Sequence, residues 1–346
     1  MRRLAALALA AAAAAASCGG GAAAPGTVRL LTHDSFVISD ASLAAFAAAS
    51  VMRLEVLTAG DAGSVVNQAV LAAGNPVADV LFGVDTTFLS RALEADLFVP
   101  YQSPAEAGLL PGLAPYPQHR VTPIDFGDVC LNYDKEAFTT TPPPQSLADL
   151  ALPAYRGLVV VEDPSTSSPG LAFLLATIAT FGEQGAYTWR EYWAALRAND
   201  VQVAAGWEEA YYGAFSGGSG EGDRPIVVSY ASSPPAEVIY ADPPVTEAPT
   251  AVVTEGCFRQ VEYAGILRGT ANEAGARALI DFLLSERFQE EVPLSMFVFP
   301  ALAAAQLPPE FDAYTAVPAA PLTMDPAAIE ANRERWVAEW AAIVMR

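Results

Sequence analysis

The chain has 346 residues, 53% of them hydrophobic and only 16% charged, so it can bury a substantial core, is long enough for two domains and is no disordered acidic tail. Its 39 acidic side chains outnumber 18 basic ones, for a formal charge of -21, and a surface that acidic repels nucleic acid and enriches cations nearby. Nucleic-acid partners are not expected. Met-Arg-Arg opens the chain, followed by thirteen apolar residues (4–16), too few to span a bilayer but suited to the core of an export signal.

Residues 15–18, Ala-Ala-Ser-Cys, resemble the bacterial lipobox, in which cleavage leaves Cys18 as a lipid-bearing N-terminus; a plain secretory signal is the other reading, and both export the protein. GGGAAAPG (19–26) reads as a flexible tether. Loss of the signal leaves 16 basic against 39 acidic side chains. Cys130 and Cys257 then remain as an even pair in an oxidising compartment, which points to a disulfide; two small core residues are the alternative.

From Val28 onward, strand-like runs alternate with helical patterns. VRLLT precedes an alanine-rich helix near 41–50, MRLEVLT a helix near 63–73, and ADVLFGV a helix near 86–95. This βαβα alternation predicts a mostly parallel sheet flanked by helices. A proline-rich loop (100–123) leads to the strand PIDFGDVCLNYDKEAF. A second alternating series follows: LVVVEDP, a helix over 169–181, VQVAA, the helix GWEEAYYGAF, and PIVVSY. Residues 256–267 return as another extended segment. Amphipathic helices follow near 272–284 and 326–345, the latter with an Ile329, Trp336, Trp340 and Ile343 stripe read as packing. The expected organisation is signal 1–18, tether 19–26, first lobe 27–124, second lobe 125–262 with hinge strands at both ends, and a return to the first lobe with C-terminal helices over 263–346. Cys130 and Cys257 fall on the two crossing strands, and a cleft is expected between the lobes, facing strand ends and helix N-termini.

Four stretches are poorly explained as scaffold alone. In THDSF (32–36), Asp34 lies just past a strand end, although capping would explain Ser35 equally well. AGDAGS (59–64) is a glycine-bracketed turn whose amides can meet an oxygen or anion. EDPSTSSPGLAFLL gathers hydroxyls and free amides at one helix start, where Ser167 and Ser168 suit a polar group; an ordinary cap needs only one such residue. In GWEEAYYGAF, Tyr211 and Phe215 read as inward-facing, while Trp207, beside Glu208 at the cleft edge, could take a cationic or aromatic ring. Tyr230 to Ser233 end the next strand. Only two histidines and one lysine, Lys135, occur, with no G-x-S-x-G or H-E-x-x-H motif, so triad, zinc-protease and P-loop chemistry find little support.

The series THDSF, PVADVLFGVD, PIDFGDVCLNYDKEAF, PQSLADL, EDPSTSSPGL, GWEEAY, VVSYASSP and EANRERWVAEW, in order over nearly the whole mature chain, resembles the thiamine-binding substrate-binding proteins of bacterial ABC importers. DPSTSSPG, GW-E-AY and SY-SSP are its most specific pieces. The resemblance implies an α/β, two-lobed type II periplasmic-binding-protein fold that closes over thiamin or its phosphates and delivers them to a permease with its ATPase. It implies no enzyme activity, cofactor or metal, and a monomer held outside the cytoplasmic membrane by the Cys18 anchor. By matching motif it places Asp61 and Ala62 in the turn that touches ligand, Ser167 and Ser168 at the helix start, and Trp207 against a ring. Tyr230, Ala231, Ser232 and Ser233 would run along the hydroxyethyl or phosphate end. His33 stands where tyrosine is usual, Ala62 where glycine is usual, and Phe297 at a position that often holds tryptophan, which leaves the preference among phosphate forms open. The competing readings are a ferric-ion receptor of the same fold, prompted by Tyr211-Tyr212, and a thiaminase-like transferase using Cys130 as nucleophile.

Overall fold

A computed structural model describes residues 26–115 and 118–346. The expected signal, Cys18 and all of the tether but Gly26 lie outside them. Ten strands join one sheet: β1 (Gly26–Thr32), β2 (Met52–Thr58), β3 (Val80–Asp85), β4 (Phe98–Val99), β5 (Thr122–Asp134), β6 (Val159–Glu162), β7 (Gln202–Ala204), β8 (Ile226–Tyr230), β9 (Thr250–Leu267) and β10 (Phe299–Pro300). Their order is β2-β1-β3-β9-β5-β8-β6-β7, with β4 on β9 and β10 on β5. The triplet β2-β1-β3 is parallel, and so is β8-β6-β7. Between them run β5 and β9, antiparallel to each other and to their outer neighbours. The architecture is therefore two parallel α/β lobes joined by two long crossing strands.

The strand chemistry explains this placement. All six residues of β3 are buried, as a strand covered by helices on both faces requires, whereas in β2 at the edge only Leu54 is buried. In the second lobe the helix Ser168–Phe181 is buried from its first residue through Ile178 and packs against β9.

Three elements depart from the sequence reading. β9 begins at Thr250 rather than 256, because Gly256 lies inside a bulge: opposite it, the β5 partners jump from Phe258 at Val129 to Val253 at Leu131. Gly256 has φ +75°, and a Cβ there would meet Leu147 at 2.5 Å, so glycine serves the bulge and marks no strand start. A helix at Trp189–Ala198, capped by Thr188 with Glu191 reaching back to the Thr188 amide at 2.8 Å, was not anticipated, although T-x-x-E is the signature of such a start. Finally, the helix Pro326–Val344 does not belong to the first lobe alone. Glu334 pairs with Arg91 of the first lobe at 2.8 Å, while Trp340 meets Trp193 of the second edge-on at 5.6 Å and Glu339 accepts from Arg190. Among the described residues no helix is long and apolar enough to cross a membrane.

At the bulge Cys130 and Cys257 are bonded, their Cα atoms 4.4 Å apart, which staples one crossing strand to the other. The bond closes a chain separation of 127 residues. Replacing both cysteines by serine is expected to lower the unfolding free energy by about 2–5 kcal/mol through the larger freedom of the unfolded chain, read as a lower urea midpoint.

Candidate functional site

The C-terminal ends of the parallel strands of both lobes face one cleft, the position at which open α/β sheets hold ligands. β1 delivers His33 and Ser35, β2 delivers the turn to Asp61 and Ala62, β6 leads to the start of the Ser168–Phe181 helix, β7 leads to Trp207, and β8 ends at Tyr230. The inner cleft is narrow, about 40 Å³, and Glu262 of β9 lies among its lining residues. A larger hollow of about 670 Å³ shares Trp207 with it and is walled by Tyr211, Tyr212, Tyr240 and Phe297.

Asp61 fastens the lobes together. Its carboxylate accepts from its own helix at the Ala62 amide (2.6 Å) and from two amides of the opposite lobe, those of Trp207 (2.9 Å) and Ser168 (3.4 Å). Burial raises the Asp61 pKa, while the Trp207 amide, His33 and the Ala62 amide pull the other way. Glycine makes this approach possible: a Cβ on Gly63 would meet the Thr166 carbonyl oxygen at 2.6 Å, and one on Gly206 would meet Asp61 Oδ2 at 2.9 Å.

Trp207 is 8% exposed, stacks on Tyr211 with ring centres 4.9 Å apart and donates from Nε1 to Ser229 Oγ at 2.9 Å. Tyr211 and Phe215 are buried. The segment after Trp207 is a π-helix, Glu209–Ala214, rather than the regular helix expected, and the Phe215 amide reaches back five residues to Ala210. Such wide turns recur at functional sites. Tyr230 donates to Gln260 Oε1 at 3.1 Å, and burial pushes its phenol well up.

The floor is acidic. Asp85 accepts from Thr87 at 2.6 Å and from Gln260, and burial pushes its pKa to about 6. Asp125 is fully buried, neither of its oxygens receives a hydrogen bond, and burial together with adjacent Glu262 raises it well above the carboxylate range. Glu162, likewise buried and unpartnered, is raised by burial and by Asp61. At the rim, burial and Asp34 raise Glu208.

Of the residues singled out by sequence, Asp61, Ala62, Ser168, Trp207 and Tyr230 line the inner cleft, and Ser233 and Phe297 line the outer hollow. Asp34 is exposed, and its charge acts on His33 and Glu208. Ser167 is buried as the helix cap, accepting from the Gly170 amide at 3.4 Å. Ala231 packs against the disulfide, and Ser232 is wholly buried. Sequence reasoning missed Glu262, Met296 and Val298 as lining residues. The signal for Glu262 was a lone acid inside the apolar run VEYAGIL; Met296 and Val298 flank Phe297, whose φ of +59° gave no signal in sequence. Two alternatives lose their chemistry here. The Cys130 thiol needed by a transferase is bonded to Cys257, and the Tyr211 hydroxyl of the candidate iron pair is spent on Glu237 at 2.8 Å. Among the described residues no cluster of three or more histidine, cysteine or acidic side chains is placed to hold a metal.

Comparison with known proteins bears on the family and the fold. Residues 75–319 match the family described as bacterial extracellular solute-binding protein. The thiamine-binding periplasmic protein of Escherichia coli K12 is 31% identical over 302 residues, 87% of each chain. A solved periplasmic thiamin binding protein superposes with TM-score 0.82 at 28% identity, covering 92% of this chain and 96% of that one. Iron-bound HitA from Pseudomonas aeruginosa superposes with TM-score 0.69 at 18% identity, over 92% of this chain and 99% of its own, and shares the fold.

Asp61→Ala removes the one acceptor that spans the lobes at Trp207 and Ser168. The expected outcome is a more open ligand-free protein, read as an increased radius of gyration in small-angle X-ray scattering; an unchanged radius would show that Asp61 does not hold the lobes together.

Proposed function

The chain belongs to the bacterial extracellular solute-binding proteins, and from that premise we propose that it captures thiamin, or its mono- or diphosphate, and hands it to an ABC permease and its ATPase. One observation carries the choice of ligand: the cleft is lined by the rings of Trp207 and Tyr230 and the carboxylates of Asp61 and Glu262, and among its described lining residues includes no lysine or arginine. Thiamin joins a thiazolium cation to an aminopyrimidine, and a cation over an aromatic face in a dry, acidic cleft gains about 2 kcal/mol.

Capture follows from contacts made by both lobes at once. A ligand lodged beside the Asp61–Trp207 contact, against Trp207 and Tyr230 of one lobe and Ala62 of the other, would favour the closed arrangement, which the permease would read. Ser233 and Phe297 extend the proposed surface into the outer hollow and Asp34 lies exposed beside His33, while Ser167, Ala231 and Ser232 are buried behind it and would serve only as support. A phosphate ester has to displace the Asp61 carboxylate from the Ser168 and Trp207 amides, a cost that free thiamin avoids. The protein works outside the cytoplasm, and lipid on Cys18 would keep it, as a monomer, at the outer face of the membrane.

Calorimetric titration with thiamin, its monophosphate and diphosphate, and ferric citrate tests the assignment: thiamin is expected to bind and ferric citrate not to. Trp207→Ala is expected to weaken thiamin binding at least about tenfold, near 1.4 kcal/mol. It is also expected to lower stability by about 3 kcal/mol, because the indole is largely buried and bonded to Ser229. Native protein that ignores thiamin would remove the proposal.

A further inference from the structure

His33 and Glu262 face each other on the cleft floor, Nε2 to Oε1 at 3.7 Å, with side chains only 10% and 13% exposed. His33 Nε2 has no hydrogen-bond partner. The imidazole lies close over Gly83, where a Cβ would collide with it, and beside Phe82 at 5.7 Å between ring centres, so its position is set by β3. Other charged or titratable groups around this pair come from every neighbouring element. They are Asp125 on β5, Asp85 on β3, Asp61 after β2, Asp34 beside His33, Glu208 after β7 and Tyr230 on β8. All are acids, and among the described residues lining the inner cleft there is no lysine or arginine. The imidazolium is thus the one positive charge that this floor can make for itself.

We propose that His33 and Glu262 form a charge-exchange pair that selects cationic ligands: without ligand, protonated His33 is the counter-ion of Glu262, and the ligand's cationic ring takes that role while His33 gives its proton to solvent. This rests on the thiamin reading and deepens it. Charge balances, since one cation enters the floor as one proton leaves. Burial opposes the imidazolium, but Glu262, Asp61 and Asp34 outweigh it and raise His33 above its ordinary 6.5. A bound cation beside the ring lowers it again. Protons are therefore released on binding at pH values between the bound and free pKa, and affinity rises with pH across that window and levels off above it.

The test is calorimetric titration of the native protein with thiamin between pH 6.5 and 8, where the aminopyrimidine stays neutral, in buffers of low and high ionisation enthalpy. Expected are proton release approaching one per thiamin and affinity up to about tenfold tighter at the upper end, one pKa unit being tenfold. His33→Phe is expected to abolish the release, flatten the profile and tighten binding at the acid end. Glu262→Gln is expected to cost thiamin at least about tenfold more than it costs an isosteric analogue with neutral thiophene in place of thiazolium. Tight thiamin binding with no proton release and a flat profile overturns this inference alone, as does a Glu262→Gln penalty equal for the two ligands. No thiamin binding by the native protein overturns the functional reading with it.

Discussion

Carboxylates buried beyond the reach of any arginine or lysine set the character of this molecule. An isolated ionised carboxylate in a protein interior is so costly that it takes up a proton, finds a donor or waits for a cation. All three solutions occur around one cleft. Burial pushes Asp125 and Glu162, which lack donors, well up from the carboxylate range and so toward the neutral form, and Asp85 draws on Thr87 and Gln260. Asp61 spends its charge on amides of both lobes. Glu262, at the cleft surface, is left facing a histidine. A floor built this way opposes anions and would favour a compact cation.

The crossing strands turn that recognition into motion with a restricted path. β5 and β9 carry the ladder from lobe to lobe, and the disulfide ties them at the Gly256 bulge, so bending has to occur without sliding one strand past the other. On the far side the last helix touches both lobes through Arg91–Glu334 and Trp193–Trp340. Of these, the exposed ion pair is weak and can open, whereas the buried indole pair resists separation.

Much of this architecture was legible in the sequence because it rests on local signals. The alternation of apolar runs with helical periods announces parallel strands, and β3 reads as a core strand from its own composition. Asp61, Ser168 and Trp207 were found because each sits at a turn beside a strand end or a helix start. Glu262 was not, since periodicity assigns an acid in a strand to solvent and only the placement of β9 between β3 and β5 encloses it. The bulge at Gly256 looks like a boundary from one strand alone; it becomes a bulge only with β5 beside it. The last helix was assigned to one lobe because an apolar stripe states that a helix is buried and says nothing about how many partners bury it. The π-turn after Trp207 has no sequence signature that separates it from an ordinary amphipathic turn.

Asp61 also ties recognition to closure in a way that sets the energetics of both. The carboxylate bonds amides at the N-terminus of the Ser168–Phe181 helix and at Trp207, groups that a ligand oxygen would otherwise take. Closure without ligand is therefore supported by the protein's own anion. A ligand shifts the equilibrium only by the difference in its affinity for open and closed forms. In the proposed binding mode, free thiamin would turn its charge to Glu262 and the aromatic walls, and the Asp61 bonds and the ligand contacts would add, because they involve different parts of the cleft. For a phosphate ester they compete, and the negative group must expel a carboxylate before it gains the amides. On the proposed mode, the side chain that holds the lobes together would also discriminate against the charged tail of a phosphate ester, whose affinity would be bounded by how cheaply Asp61 can turn away from the second lobe.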